Sequence, residues 1–128
     1  MHTSHGILLF AHGSRDPLWR APIEAVRQQI EAQSPHPAVR CAYLELCTPS
    51  LADAAQELVA QGVRTLTVVP MFLGTGKHAR EDLPMLMDEL RAAHPHVEFT
   101  VQVAIGEDPR MTALMASIAC APPLGVPA

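Results

Sequence analysis

A chain of 128 residues, 48% of them hydrophobic, has the length of one ordinary domain and enough apolar side chains to bury one substantial core. Charged residues make up 17% and the formal net charge is -4, which excludes the broad basic field that nucleic acid or an anionic membrane surface would call for. No apolar run reaches the roughly 18 residues that span a bilayer, and the opening MHTSH carries no basic segment followed by a cleavable apolar one. The expected location is therefore the cytoplasm.

The chain then alternates two kinds of segment. Residues 6–11 (GILLFA), 39–44, 63–69 (VRTLTVV) and 97–103 (VEFTVQV) are short apolar runs, mostly rich in β-branched residues, and read as four strands. Between them helical spacing recurs: Trp19, Ile23, Val26 and Ile30, then Leu51, Ala55, Leu58 and Val59, then Leu83, Leu86, Met87 and Leu90. A last helix carries Met111, Leu114, Met115 and Ile118 on one side. Thr48 before Pro49 and Asp108 before Pro109 read as helix N-caps, and Gly62 as a stop. Pro17, Pro22 and Pro84 leave the starts of the first and third helices open.

Repeated βα units with short connections predict an α/β fold, an open and mainly parallel four-stranded sheet with helices on both faces. Residues 1–120 form its single domain, and 121–128, with three prolines, read as a frayed tail. Cys41, Cys47 and Cys120 form no CxxC pair and no even framework, so they read as packing residues.

Ligands of such a sheet bind beyond the carboxyl ends of its strands. The first strand runs into AHGSR at 11–15, the second into ELCT at 45–48 and the third into PMFLGTGKH at 70–78, so His12, Glu45 and His78 are expected on one rim. Two imidazoles and a carboxylate from three strand ends suit a borderline divalent ion such as cobalt, iron or nickel, with positions left open for exchange. A locked structural site would instead offer four protein ligands, often thiolates. Of the seven histidines, His2 and His5 lie near the chain start, and His36, His94 and His96 sit beside prolines in the opposite-edge connections; these five read as structural or solvated. Gly13, Gly74 and Gly76 can cradle a phosphate, but neither GxGxxG nor GxxxxGK followed by Ser or Thr is present. Ser14 lacks a GxSxG elbow, so a turn or capping role suits it better than that of a nucleophile.

These residues form an ordered pattern: HGSRDP at 12–17, YLEL at 43–46 with PSL at 49–51, VPMFL at 69–73 with GKH at 76–78 and EDLP at 81–84, and GEDPR at 106–110. From about residue 6 to about 118 the chain resembles the class II chelatases of the CbiX/SirB type, whose domain is flavodoxin-like. The resemblance implies a short, single-domain chelatase that inserts cobalt, or sometimes iron or nickel, into sirohydrochlorin without ATP hydrolysis. It implies a homodimer holding the tetrapyrrole in a cleft between paired domains, with the metal as substrate and no tightly bound cofactor. Carried over by position, the family's metal-binding histidines fall on His12 and His78, and its acidic residue after the second strand falls on Glu45. The short, proline-rich end after residue 121 departs from the family pattern.

In that setting His12, His78 and Glu45 are the candidate catalytic groups. Glu45 is either a further ligand or a proton acceptor, and the sequence leaves both roles open. A polycarboxylate substrate on an acidic protein needs local cations, and Arg15, Lys77 and Arg80, with Ser14, are the candidate substrate-binding residues. Met71, Phe72 and Leu73 either wall the macrocycle or, for at least one of them, pack in the core; that segment with Met85 and Met87 is expected at the dimer contact, with a core position the alternative for Met87. Two alternatives use the same residues differently: a metal or tetrapyrrole carrier without catalysis, and a flavodoxin-like phosphate or nucleotide binder built on Gly13 and the 74–76 glycines.

Overall fold

The computed structural model of the chain describes residues 4–125. Four strands, β1 (His5–Ala11), β2 (Ala38–Tyr43), β3 (Thr65–Pro70) and β4 (Glu98–Val101), alternate with helices α1 (Ala21–Glu31), α2 (Leu51–Ala60), α3 (Lys77–Ala93) and α4 (Pro109–Cys120). All three strand pairings are parallel, in the order β2-β1-β3-β4. The fold is α/β, an open parallel four-stranded sheet with helices on both faces.

Period-two alternation divides the core in two. Leu8 and Phe10 of β1 face the same side as Ala42, Leu66, Val68 and Phe99, where Leu51, Ala54, Ala55 and Leu58 of α2 and Ala79, Met87 and Leu90 of α3 cover them. Leu9 and Ala11 face the other side with Val39, Cys41, Tyr43 and Val69, and there Ile23 and Ile30 of α1 pack against them. A central strand covered on both faces must be apolar throughout, which is why GILLFA does not alternate with polar residues. The chain adds β2 on one side of β1 and β3 on the other, and the helix changes face with the direction, as right-handed crossovers require. The reversal makes the carboxyl ends of β1 and β3 the switch point of the sheet.

Several boundaries differ from the expectation. The cap of α2 is Ser50, not Thr48: its Oγ accepts from the Asp53 backbone N–H at 3.1 Å, so Pro49 precedes the cap instead of opening the helix. Ser50 has the extended backbone and the three-residue spacing to Asp53 that a cap needs. Asp108 does cap α4, accepting from the Arg110 N–H at 2.8 Å. Pro17 opens a separate 3-10 turn, Pro17–Arg20, that takes Trp19 out of α1, while Pro84 lies inside α3. β4 ends at Val101, leaving Val103 61% exposed.

The largest departure is α4. Its apolar residues share one side, as their spacing indicates, yet the helix has no buried residue, Leu114 and Ile118 are 51% and 64% exposed, and its main neighbour is the 3-10 turn Ile105–Glu107. Residues 121–125 are exposed, and the remainder of the expected tail, like His2, lies outside the described residues. No helix among the described residues is long and apolar enough to cross a membrane.

Candidate functional site

The register brings the three loops level. Phe10 pairs with Ala42 on one side and Pro70 on the other, and Ala11 pairs with Tyr43, so the segments after β1, β2 and β3 leave the sheet side by side. Backbone bonds continue the alignment past the strands: the Leu44 N–H donates to the Ala11 carbonyl at 2.9 Å and the Glu45 N–H to the His12 carbonyl at 3.1 Å. The chain after β1 can lie this close to β2 because residue 13 is glycine. Gly13 has φ +108°, and a Cβ there would meet the Glu45 carbonyl oxygen at 1.8 Å, a position no L side chain can occupy. Gly13 thus serves a close approach of two backbones. Leu46, immediately after Glu45, holds φ +69° without being glycine, a sparsely populated conformation that the surrounding loop must enforce.

The result is a paired His12 and Glu45, with Nε2 and Oε1 3.3 Å apart and both side chains nearly half exposed. Phe72 lies beneath them; its ring meets the His12 ring edge-on at 6.3 Å between centroids and the Phe10 ring at 6.0 Å. Phe72 is buried and belongs to the core, whereas Leu73 is 70% exposed and Met71 packs partly against the α1 side. Of the expected wall residues, Leu73 is therefore the one most open to a ligand. The 71–75 segment is braced from behind: Gly106 donates to the Phe72 carbonyl at 2.8 Å and lies so close to Leu73 that a Cβ would meet its carbonyl oxygen at 1.9 Å. The Thr75 hydroxyl adds a bond to Glu107 at 3.2 Å.

His78 occupies the first turn of α3, just after Gly76 at the cap. Its Nε2 is 2.7 Å from Oδ2 of Asp82, one turn along the helix. Asp82 lies within the EDLP motif, but the site residues read from the sequence did not include it. The i,i+4 spacing was the available signal, since it places two side chains on one helix face. Among the described residues no three His, Cys, Asp or Glu side chains converge closely enough to hold an ion together. The site thus comprises two imidazole–carboxylate pairs, one bridging the loops after β1 and β2 and one on α3.

The candidate substrate-binding residues separate by environment. Arg15 is exposed in the loop that carries His12. Ser14 accepts from the Asp16 N–H at 3.1 Å, and Asp16 in turn accepts from Leu18, so both side chains shape the turn into Pro17–Arg20. Lys77 is highly exposed, 3.9 Å from Glu81. Arg80 points to a different side of α3 from His78: it donates to the Thr75 carbonyl at 2.8 Å and lines a groove of about 480 Å³ with Leu83, Met87, Val101 and Glu107.

Behind β2, Glu24 of α1 accepts from Arg27 and, at 3.4 Å, from the Tyr43 hydroxyl. Burial works to raise the Glu24 carboxyl, but hydrogen bonds from Arg27, Cys41 and Tyr43 and the Arg27 charge outweigh it and hold the group below its ordinary range. Burial, with the neighbouring Glu24 charge, pushes the Cys41 thiol up to about 12. Cys41 is therefore inert packing, as expected, whereas Cys120, read the same way, is exposed at the end of α4, a helix that buries no side chain. His94, read as structural, is indeed buried, beside Phe99.

The sequence pattern of the CbiX family matches residues 6–120. The chain belongs to the CbiX family. It is 33% identical over 91 residues to the sirohydrochlorin cobaltochelatase of Methanothermobacter thermautotrophicus, an overlap of 71% of this chain and 63% of that relative. The crystal structure of a cobalamin (vitamin B12) biosynthesis CbiX protein from Marinobacter aquaeolei VT8 is similar with a TM-score of 0.77 and 34% identity, covering 90% of this chain and 93% of that one. The sirohydrochlorin chelatase SirB of Bacillus subtilis subspecies spizizenii, in complex with cobalt, aligns with a TM-score of 0.76 and 25% identity over 90% of this chain and 48% of its own. The CbiX chain described here thus spans less than two thirds of the cobaltochelatase it matches and about half of SirB.

Proposed function

We propose that this CbiX-family chain inserts a divalent metal, cobalt by preference and otherwise iron or nickel, into sirohydrochlorin without ATP. The observation that supports the reading is the 3.3 Å pairing of His12 with Glu45 across the loops after β1 and β2, with His78 following β3 at the start of α3, in a chain similar to proteins named for that reaction. The metal is substrate. Imidazole and carboxylate donors bind borderline divalent ions and can be displaced in turn, as transfer to a pyrrole nitrogen requires. His12 and His78 hold the ion. Glu45, beside His12, either completes the donor set or takes a proton from the macrocycle.

Arg15, with Lys77 and Ser14 nearby on the rim, meets the substrate's carboxylates, and Arg80 supports the segment through Thr75. The exposed Leu73 side chain offers the macrocycle an apolar contact. An anaerobic assay following the metallo-sirohydrochlorin absorption spectrum, with cobalt, iron and nickel each in turn, tests the reading. Acceleration over the protein-free reaction is expected with at least one metal; tight binding of metal or tetrapyrrole without acceleration would make the protein a carrier.

The working unit in this reading is a cytoplasmic homodimer. Of the residues expected at the contact, Met87 is buried in the core and offers none, while Leu73 and Met85 are exposed; α4 adds a further surface, with one charged residue, Arg110, and an exposed apolar stripe that a second copy would cover. One domain also meets only one side of a large flat ring, and twofold symmetry is the commonest way for a chain to supply the other.

A further inference from the structure

We infer that Asp82 is the positioning residue for His78, holding its Nε2–H so that Nδ1 is the nitrogen offered to the metal. The inference rests on the reading of His78 as a metal-holding residue and adds the group that orients it. His78 and Asp82 are one turn apart on α3, so their side chains share a face by helix geometry alone. The 2.7 Å separation of Nε2 and Oδ2 lies in the range of a charge-assisted hydrogen bond. A carboxylate only accepts; the proton therefore sits on Nε2, and the free lone pair sits on Nδ1.

The neighbouring pair on the same helix shows what a merely solvated contact looks like here. Lys77 and Glu81 have the same spacing but stand 3.9 Å apart, 81% and 62% exposed. Asp82 is closer to its partner and, at 37%, better covered. His12 differs again: its carboxylate neighbour comes from another loop, at 3.3 Å. One pair is thus locked within a helix turn and the other is built across two loops. In metal sites a carboxylate on the far nitrogen of a ligating imidazole fixes the tautomer and ring orientation, and its loss typically costs 10–100-fold in affinity.

The test titrates the full-length protein with Co²⁺ alone, followed by its visible absorption, and then measures turnover with sirohydrochlorin. Asp82→Ala is expected to weaken Co²⁺ binding about 10–100-fold, raising the KM for metal while leaving the KM for sirohydrochlorin and the melting temperature unchanged. Asp82→Asn, whose amide oxygen still accepts from Nε2–H, should recover most of the affinity. Co²⁺ affinity in Asp82→Ala equal to wild type overturns the inference, as does Asp82→Asn that is no better than the alanine variant, because Asp82 would then act as a ligand or a charge. His78→Ala separates the two levels of argument. If it binds and inserts Co²⁺ normally, the reading of His78 itself falls; if it fails while Asp82→Ala is normal, only the role of Asp82 does.

Discussion

Gly13 and Glu45 touch through their backbones: a Cβ on residue 13 would lie 1.8 Å from the Glu45 carbonyl oxygen. The contact seats the loop after β1 against the loop after β2, and the side chains of His12 and Glu45 meet as a consequence. Gly13→Ala is therefore expected to destabilise the fold by at least roughly 1–3 kcal/mol, the usual cost of a non-glycine residue held in a strained backbone conformation, and to weaken metal binding as the pair separates. Urea unfolding together with a Co²⁺ titration checks both; a variant with unchanged midpoint and affinity would show that the loop relaxes freely.

His12 and His78 are about half exposed or more, so removing either ring should alter stability by no more than about 0.5 kcal/mol. His12→Ala and His78→Ala should nonetheless lose most metal insertion, while His36→Ala and His96→Ala, on exposed residues of the opposite edge, keep it. His94→Ala is a different case. That ring is 7% exposed, so the variant should lower the melting temperature without a specific loss of turnover per folded molecule. Near-normal insertion by both rim variants would remove the central claim.

Arg15 stands exposed in the loop that carries His12, whereas Arg80 is tied to the Thr75 carbonyl. Arg15→Ala should raise the KM for sirohydrochlorin more than it lowers kcat. The difference from wild type should shrink as salt is added, because screening weakens the attraction that only the wild type has. Arg80→Ala should have the smaller effect on KM. Equal KM values for Arg15→Ala and wild type across ionic strength would leave Arg15 facing solvent alone.

Alkaline conditions should destabilise the fold through Cys41. Its thiol ionises near 9 when exposed and is pushed up to about 12 in the folded protein, and burial raises the Tyr43 hydroxyl as well. A group whose proton is held more tightly in the folded state contributes fully below the unfolded value and loses that contribution progressively as pH rises toward the folded one. The urea midpoint should therefore fall between about pH 9 and 12, and less steeply in Cys41→Ala measured against its own neutral-pH midpoint. Thiol labelling at neutral pH should reach exposed Cys120 first and Cys41 only on unfolding.

Placing a charge on the outer stripe of α4 tests the dimer. Leu114→Asp and Ile118→Asp alter side chains that are more than half exposed in one copy, so folding of the single domain should be little affected. Sedimentation should shift from dimer to monomer at micromolar concentration, with loss of specific activity. A wild-type protein that stays monomeric on dilution at full specific activity would refute the shared cleft.

Hydrophobic periodicity was enough to read the four strands, the order of helices and the carboxyl-edge location of His12, Glu45 and His78, because apolar burial imposes those repeats residue by residue along the chain. Strand order and the contacts across loops were not readable in this way. They depend on which loop faces which: Gly13 against Glu45, Gly106 against Leu73, and Arg80 turned away from His78 toward Thr75. The apolar stripe of α4 shows the same limit from the other side. Its spacing marks an apolar face, but periodicity carries no information on whether the rest of the chain packs against it, and the fold leaves Leu114 and Ile118 more than half exposed. Ser50 replaced Thr48 as the α2 cap for a related reason. Both residues offer a hydroxyl, and only the path of the chain between β2 and α2 decides which of them reaches a free backbone N–H.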